Sequence, residues 1–225
     1  MSTDLVLSSG WLAFASHTGF LAAIEDLDLD VDGICGTSSG ALTGSLFAAG
    51  MPSREIFALL TGHPPLSWVR PSVRPWEGLL DTGPMVAELE RHLPATFAEL
   101  PRPFGVGVIH EGAFALLTEG PLATSVAASC AVPWLFRPVR IGGVPYQDGG
   151  VADRTGLEAW RVHRGSVDPI CHVLAPSFGP DGPVEATRVV RSPGSGAQLW
   201  SLGDVQSRFD RTFRATRQLL DRTPT

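Results

Sequence analysis

The segment Gly36-Thr37-Ser38-Ser39-Gly40 constrains the fold of this chain more than any other. Residues 31–35 before it read as the end of a short buried strand, and residues 41–49 after it read as a helix that stops at Gly50. A G-x-S-x-G pattern between a strand and a helix is typical of a nucleophile elbow, a sharp turn that exposes the serine. Glycine at both flanks keeps Cβ atoms out of this crowded turn. The helix also directs its positive N-terminal end at Ser38, which favours negative charge there.

A second motif, Asp148-Gly149-Gly150, supplies a candidate base. A serine hydroxyl is a poor nucleophile until a neighbouring base takes its proton, and a carboxylate within ~2.6–3.2 Å can do so. Gly149 and Gly150 let the backbone turn sharply without obstructing Asp148. Two plainer interpretations stand beside this one. An Asp-Gly turn is common in loops, and a G-x-S-x-G pattern can arise by chance in a chain with 25 glycines.

The apolar pattern predicts an α/β fold in one domain over residues 1–225, because a β-α-β-α start implies a parallel sheet covered by helices. Two segments rich in Pro, Gly or Ser, 61–83 and 177–197, are predicted to be irregular; the first is either a lid or binding loop or a packed surface loop. Strands are predicted at 4–7, 31–35, 104–109, 113–117, 139–141, 144–146 and 170–174. Helices are predicted at 16–27, 41–49, 53–60 (capped by Ser53), 84–92, 122–130 and 204–220.

Composition excludes several classes of function. The formal net charge of −6 argues against nucleic acid as a partner, because phosphate binding needs a basic face. All 17 basic residues are arginine, which excludes a lysine-based mechanism. Cys35, Cys130 and Cys171 are far apart and form no C-x-x-C, so we expect small buried residues in a reducing compartment, with neither zinc nor disulfides. No calcium loop or metal cluster is visible, and no metal or cofactor is expected.

An uncharged stretch over residues 5–24 raises the question of a membrane segment. Serine, threonine, histidine and glycine interrupt this stretch, and no positive residue precedes it as in a signal peptide. No other segment approaches the ~20 apolar residues that a membrane span requires. The sequence therefore predicts a cytoplasmic protein.

Three blocks of sequence together resemble the patatin-like phospholipases. They read LVLSSGWLAFASHTGFLAAIEDL, GICGTSSGALTGSLFAAG and ASCAVPWLFRPVRIGGVPYQDGG, and the resemblance covers residues 4–175. It implies a three-layer α/β/α fold with a mostly parallel central sheet. It also implies a Ser-Asp dyad in which Ser38 is the nucleophile and Asp148 accepts its proton. The implied reaction is hydrolysis of a lipid or other acyl ester through an acyl-serine intermediate.

The chain departs from the family in the loop that supplies the oxyanion hole. That loop is normally glycine-rich with a basic residue, whereas this chain has Ser9-Gly10-Trp11 and Ala13 at the basic position. Ser9, Gly10, Trp11 and Ser39 remain the candidate donors of N–H groups to an oxyanion. A bulky residue such as Trp11 adopts a positive φ only with strain. Loss of one donor typically costs about 10²–10³ in rate.

Aromatic residues lie in two further places near the motifs. Trp134 stands where the family often has glycine; together with Trp11 it is predicted either to narrow the site or line an acyl pocket, or simply to pack. The segment 68–76, with a tryptophan at each end, is the candidate for transient contact with a membrane surface. The net negative charge argues against attraction to anionic lipid.

Two other functions remain open from the sequence. The altered loop favours a catalytically impaired patatin-like scaffold that binds acyl chains or a partner protein. An α/β-hydrolase triad in the order Ser…Asp…His would use His163 or His172. The dyad is preferred because His163 lies in an apparent basic turn and His172 in an apolar strand. His17 is close in sequence to the oxyanion loop and is a candidate neighbour of the site. The sequence does not predict an oligomeric state.

Overall fold

The computed structural model describes residues 3–165, 167–175 and 184–221. The strands are β1 (Thr3–Leu7), β2 (Val31–Thr37), β3 (Arg70–Pro71), β4 (Leu80–Asp81), β5 (Phe104–His110), β6 (Ala113–Leu117), β7 (Val139–Ile141), β8 (Val144–Asp148), β9 (Ile170–Leu174) and β10 (Arg188–Ser192). The α-helices are α1 (Phe14–Asp26), α2 (Ser39–Ala48), α3 (Ser53–Thr61), α4 (Gly83–Leu89), α5 (Leu122–Ser129), α6 (Leu157–Arg164) and α7 (Val205–Leu220). Short 3-10 turns cover Pro65–Trp68, Phe97–Glu99 and Gly149–Val151.

Eight of the strands form one mixed sheet with the spatial order β10-β9-β1-β2-β5-β8-β7, and β6 also pairs with β5. The five strands from β10 to β5 are parallel to one another. The pairs made by β6, β7 and β8 are antiparallel. The predicted α/β fold with a mostly parallel central sheet is therefore confirmed.

Helices cover both faces of this sheet, as the alternation of side chains along β1 shows. Leu5 and Leu7 belong to a large core cluster with residues of α1, α2, α3, α4 and α5, and α7 adds Leu220 at its margin. Val6 points to the opposite face, where it packs with Leu157 and Trp160 of α6. Successive residues of a strand point to opposite faces, so a strand buried on both faces is apolar throughout. The result is the three-layer arrangement.

Several local predictions need correction. The segment 177–197 was predicted as loop, yet β10 lies within it and pairs in parallel with β9; residues 176–183 lie outside the described part. β10 is a short edge strand flanked by Pro, Gly and Ser. Its two valines are therefore weak evidence for a strand in the sequence. Ser53 is the first residue of α3 and not its cap, because its hydroxyl and N–H bond the carboxylate of Glu25.

Segment 61–83 is only partly irregular. It holds the Pro65–Trp68 turn and the two-stranded ribbon of β3 and β4, and Trp68 is buried against the main core. Within the described ranges, none of the helices combines the length and the apolar character needed to cross a membrane.

Candidate active site

Ser38 and Asp148 are brought together by two strands that end on the same edge of β5. Thr37, the last residue of β2, pairs with Gly107 of β5, and Asp148, the last residue of β8, pairs with Val108. Since β6 occupies the opposite edge of β5, β2 and β8 approach each other end to end. The turn after β2 and the carboxylate that ends β8 therefore face each other.

The elbow at Ser38 has the strained backbone that its motif predicts. Ser38 has φ 54° and ψ −119°, between the end of β2 and the start of α2. Glycine is required at both flanks. A Cβ on Gly36 would lie 2.5 Å from the Gly40 carbonyl oxygen, and one on Gly40 would lie 2.2 Å from the carbonyl oxygen of Leu7. Such strain persists only where surrounding structure enforces it, and it is concentrated at functional sites.

Ser129, at the end of α5, is the group that enforces this turn. Its buried hydroxyl accepts the N–H of Ser38 at 2.8 Å and donates to the Gly107 carbonyl at 2.6 Å. The hydroxyl thus ties the elbow to β5 beside Asp148. Ser129 lies within the block that begins ASCAVP, but the sequence alone predicts no role for it. Its partner, Ser38, is 91 positions away in the chain, so no local pattern links the two residues.

We expect Ser129→Ala to lower kcat roughly 10- to 100-fold with little change in KM, because Ser38 loses its fixed position. The variant also leaves a buried N–H and a buried carbonyl without a partner, which costs about 1–3 kcal/mol of stability. Steady-state kinetics on a soluble ester and denaturant unfolding would measure both effects. Ser125→Ala is the matched control, because Ser125 is buried on the same helix and bonds only the Pro121 carbonyl. Equal kinetics for the two variants would contradict a positioning role for Ser129.

Asp148 is 3% exposed and lies where its carboxylate meets the Ser38 hydroxyl. The Gly150 N–H donates to Oδ1 at 2.8 Å. Burial raises the pKa of Asp148 to about 6, although the hydrogen bonds from Ser38 and from the Gly150 N–H both lower it. A Cβ on Gly149 would lie 2.6 Å from the Gly107 backbone, and one on Gly150 would lie 2.5 Å from Ser9. Both glycines are therefore required for close packing.

The structure corrects one predicted oxyanion donor, Ser9. Its N–H donates to the Arg154 carbonyl at 2.6 Å and is engaged in that bond. The positive φ that would strain Trp11 is found instead at the next residue, Leu12, whose φ is 46°. Gly10 and Ser39 line the space in front of Ser38.

Arg154 is a second residue that sequence analysis missed. It is 4% exposed, and its Nη2 donates to the Ser9 carbonyl at 3.2 Å and to the Leu174 carbonyl at 2.6 Å. Its own carbonyl accepts the Ser9 N–H, so this arginine holds the oxyanion loop from two sides. Arg154 belongs to the segment that follows Asp148 in the chain.

An apolar cavity of about 650 Å³, including its opening, lies over Ser38. Trp11 forms part of its wall, and the Trp11 indole N–H donates to the Ala197 carbonyl at 3.1 Å. The prediction for Trp134 as a cavity residue is wrong, because this side chain is 90% exposed and does not line the space. The remaining lining is mostly apolar and comes from several elements: Leu12, Phe14, Leu42, Leu60, Pro65, Trp68, Val69, Met85, Cys130, Val132, Phe136 and Leu199.

The three candidate histidines, His17, His163 and His172, make their contacts elsewhere in the fold. His163 is exposed on α6, in a helix rather than in the predicted turn. His172 is buried in β9, and its Nδ1 lies 2.9 Å from Nδ1 of His17. His17 therefore faces this interior pair and not the elbow. Burial lowers the pKa of His17 to about 3 and also lowers the pKa of His172, so both are neutral near pH 7.

The three cysteines are at least partly withdrawn from solvent. Cys35 and Cys171 are buried, and Cys130 is half-buried, with its thiol 3.4 Å from the Ser38 carbonyl oxygen. Burial raises the pKa of the Cys130 thiol, which keeps it protonated and weakly nucleophilic. In the described part of the chain, no three His, Cys, Asp or Glu side chains are grouped as metal ligands.

The fold and this site define a class of α/β proteins in which a strand–turn–helix unit presents a serine beside a buried carboxylate. The family profile described as Patatin-like phospholipase matches residues 5–159. The chain belongs to the patatin-like phospholipase family.

Relatives in sequence include two uncharacterised NTE family proteins of Mycobacterium tuberculosis. Rv1063c is 29% identical over 156 residues, a match that covers 66% of this chain and 42% of that protein. Rv2565 is 28% identical over 161 residues, which cover 67% of this chain and 26% of that protein. The match thus spans less than half the length of either relative.

Solved structures share the fold. VipD from Legionella pneumophila aligns with a TM-score of 0.62 at 16% identity, covering 97% of this chain and 66% of VipD. ExoU, in its heterodimeric complex with SpcU from Pseudomonas aeruginosa, aligns with a TM-score of 0.53 at 16% identity, covering 97% of this chain and 51% of that one. At these identities the likeness is one of fold.

Proposed function

We propose that this protein is a serine acyl-hydrolase that cleaves lipid esters with a Ser38–Asp148 dyad. One observation carries the proposal. Ser38 is held in a strained turn, against a buried carboxylate whose pKa is raised to about 6, at the floor of an apolar cavity. A nucleophile, a base matched to neutral pH and a binding site for an acyl chain therefore coincide.

The reaction has two halves. Asp148 takes the proton of Ser38 as Oγ attacks the acyl carbon, and the proton then goes to the leaving alkoxide as the ester bond breaks. Water next attacks the acyl-serine, with Asp148 again taking the proton and returning it to Ser38 Oγ as the free acid leaves. The N–H groups of Gly10 and Ser39 are the proposed oxyanion donors, and the N-terminus of α2 adds a favourable dipole.

The cavity favours a substrate with an aliphatic acyl chain. Its wall is almost wholly apolar, as in sites that bind apolar ligands. The polar part of the ester would lie at Ser38, with the chain toward Leu42, Leu60 and Met85. A scaffold that binds acyl chains without cleaving them fits the same cavity, so the test must detect the activated serine itself.

Fluorophosphonate labelling followed by peptide mass spectrometry provides that test. A fluorophosphonate forms a stable bond only with a serine that a neighbouring base has activated. We expect one labelled site, at Ser38, and faster hydrolysis of p-nitrophenyl esters with medium-length chains than of the acetate. A folded protein that takes up no label would overturn the proposal and leave the binding scaffold.

The rate should fall in acid because Asp148 must be ionised to accept a proton. Burial raises its pKa to about 6, so kcat/KM is expected to be level above that pH and to fall about tenfold per pH unit below it. A pH profile of ester turnover, recorded where the melting temperature is constant, measures this. A profile that stays level down to about pH 4.5 would contradict the assignment of Asp148 as the base.

A further inference from the structure

Three exposed tryptophans, Trp76, Trp134 and Trp200, lie on segments that adjoin the cavity wall, and we name them the tryptophan rim. They are 78%, 90% and 67% exposed. Trp134 lies between the cavity residues Val132 and Phe136, and Trp200 follows the cavity residue Leu199. Trp134 and Trp200 are therefore each within two residues of the cavity wall.

Backbone contacts hold the Trp76 segment against the Trp134 segment. The Leu80 N–H donates to the Leu135 carbonyl, and the Arg137 N–H donates to the Leu80 carbonyl, both at 2.9 Å. Gly78 lies so close to Phe136 and Arg137 that a Cβ there would overlap their backbone. On the other side, the Leu66 N–H donates to the Leu199 carbonyl next to Trp200. The rim is thus anchored to the same elements that enclose the cavity.

Trp134 has two features that oppose folding stability. Its side chain is almost fully in water, and its φ of 71° is in the left-handed region, which costs a non-glycine residue free energy. Glycine would adopt this φ without strain. A strained backbone that displays an exposed aromatic side chain points to a role outside the fold.

A basic groove adjoins the rim. Four arginines and two carboxylates line it: Arg70 and Arg137 both pair with Asp81, Arg74 pairs with Glu77, and Arg140 adds a further positive charge. Arg70, Arg74 and Arg140 are exposed. This face is therefore locally positive although the whole chain carries −6. The net charge of −6, which argues against attraction to anionic lipid, is therefore unevenly distributed over the surface.

We propose that the tryptophan rim and the adjoining arginines bind the surface of an anionic phospholipid bilayer, so that the cavity opens toward the lipid. This inference rests on the proposed function, because it explains how the cavity would reach a lipid substrate. The residues that form the surface are separate from Ser38 and Asp148. Tryptophan is suited to the interface between headgroups and acyl chains because its ring is apolar and its N–H is polar. Each nearby arginine adds attraction to anionic headgroups.

Vesicle co-sedimentation with the Ser38→Ala protein tests the proposal without hydrolysis. The probes are phosphatidylcholine vesicles with and without phosphatidylglycerol, at low and high salt. We expect tighter binding to the anionic vesicles and weaker binding in high salt. Arg74→Gln with Arg140→Gln should lower affinity about fivefold for each charge removed.

The variants Trp76→Ser, Trp134→Gly and Trp200→Ser should each lower vesicle affinity roughly tenfold. Val162→Ser is the control, because Val162 is 77% exposed on α6, which covers the opposite face of the sheet, and should bind as the parent does. Trp134→Gly should not lower the melting temperature, so this variant separates membrane binding from folding.

Two results would overturn the proposal. One is the absence of binding to either vesicle, and the other is unchanged binding by Trp134→Gly and the other rim variants; both leave the rim as a surface for protein contact. The outcome is separate from that of the labelling test. A protein that binds vesicles but takes up no fluorophosphonate supports the rim and contradicts the dyad, and the reverse result contradicts only the rim.

Discussion

Ser38→Ala is expected to abolish fluorophosphonate labelling and to lower ester turnover by about 10³-fold or more, because Ser38 is the cavity hydroxyl that meets the Asp148 carboxylate. Alanine keeps the Cβ and loses only the hydroxyl, so the elbow with its φ of 54° is preserved. The melting temperature should therefore change little. Turnover of a p-nitrophenyl ester and label uptake measure the effect.

The control for this prediction is Ser45→Ala. Ser45 is buried on the same helix, α2, and its hydroxyl bonds the Leu42 carbonyl within that helix. This variant should keep both labelling and turnover. If Ser38→Ala retained turnover comparable with that of Ser45→Ala, the nucleophile would be another group and the proposed mechanism would be wrong.

Asp148→Asn is expected to lower kcat/KM about 10²–10⁴-fold, the usual contribution of a general base. Asparagine has nearly the same shape and can still accept the N–H of Gly150 through its amide oxygen. It cannot take the proton from Ser38. Labelling at Ser38 should therefore be slow at every pH, and the fall in rate below about pH 6 should disappear.

Stability gives an independent measure for Asp148→Asn. The folded-state pKa of about 6 is above the ordinary 3.8, so the folded protein binds this proton more tightly than the unfolded chain does. The ionised carboxylate then costs about 3 kcal/mol of stability above pH 6, a cost that disappears below about pH 4. The variant should be no less stable than the parent at pH 8, whereas a purely structural Asp148 would make it less stable.

Substitutions of His163 and His172 provide the comparison for Asp148→Asn. His163→Ala changes an exposed residue of α6 and should keep full activity. His172→Ala disturbs the buried pair with His17 and should destabilise the fold while the folded fraction keeps most of its activity. Loss of activity in either variant with the fold intact would favour a Ser-Asp-His triad.

Most of the secondary structure could be predicted because it depends on local pattern. The run of small and apolar residues in α2 and the Gly142-Gly143 turn between β7 and β8 both specify their elements over a few residues. β10 was missed because it is a short edge strand that pairs only with β9, and its flanks resemble a loop. α6 was missed for a similar reason, since only Leu157 and Trp160 of its eight residues are buried.

Residues of the candidate site were predicted from the sequence only where they belong to a recognisable motif. Ser38 and Asp148 are embedded in glycine-flanked patterns, and close packing explains why those glycines are needed. Ser129 and Arg154 act through hydrogen bonds to residues far away in the chain, so no local pattern marks them. Trp134 was misassigned because the direction of its side chain depends on a positive φ, which a tryptophan rarely adopts.

The sequence by itself determined that Ser38 would follow a strand at a sharp turn and that Asp148 would end another strand before two glycines. Both follow from local sterics and apolar pattern. Only the tertiary structure decided that these two ends meet, because β2 and β8 reach the same edge of β5 at adjacent residues, Gly107 and Val108. It also decided that the pKa of this carboxylate is raised to about 6, because the packing around Asp148 removes it from water.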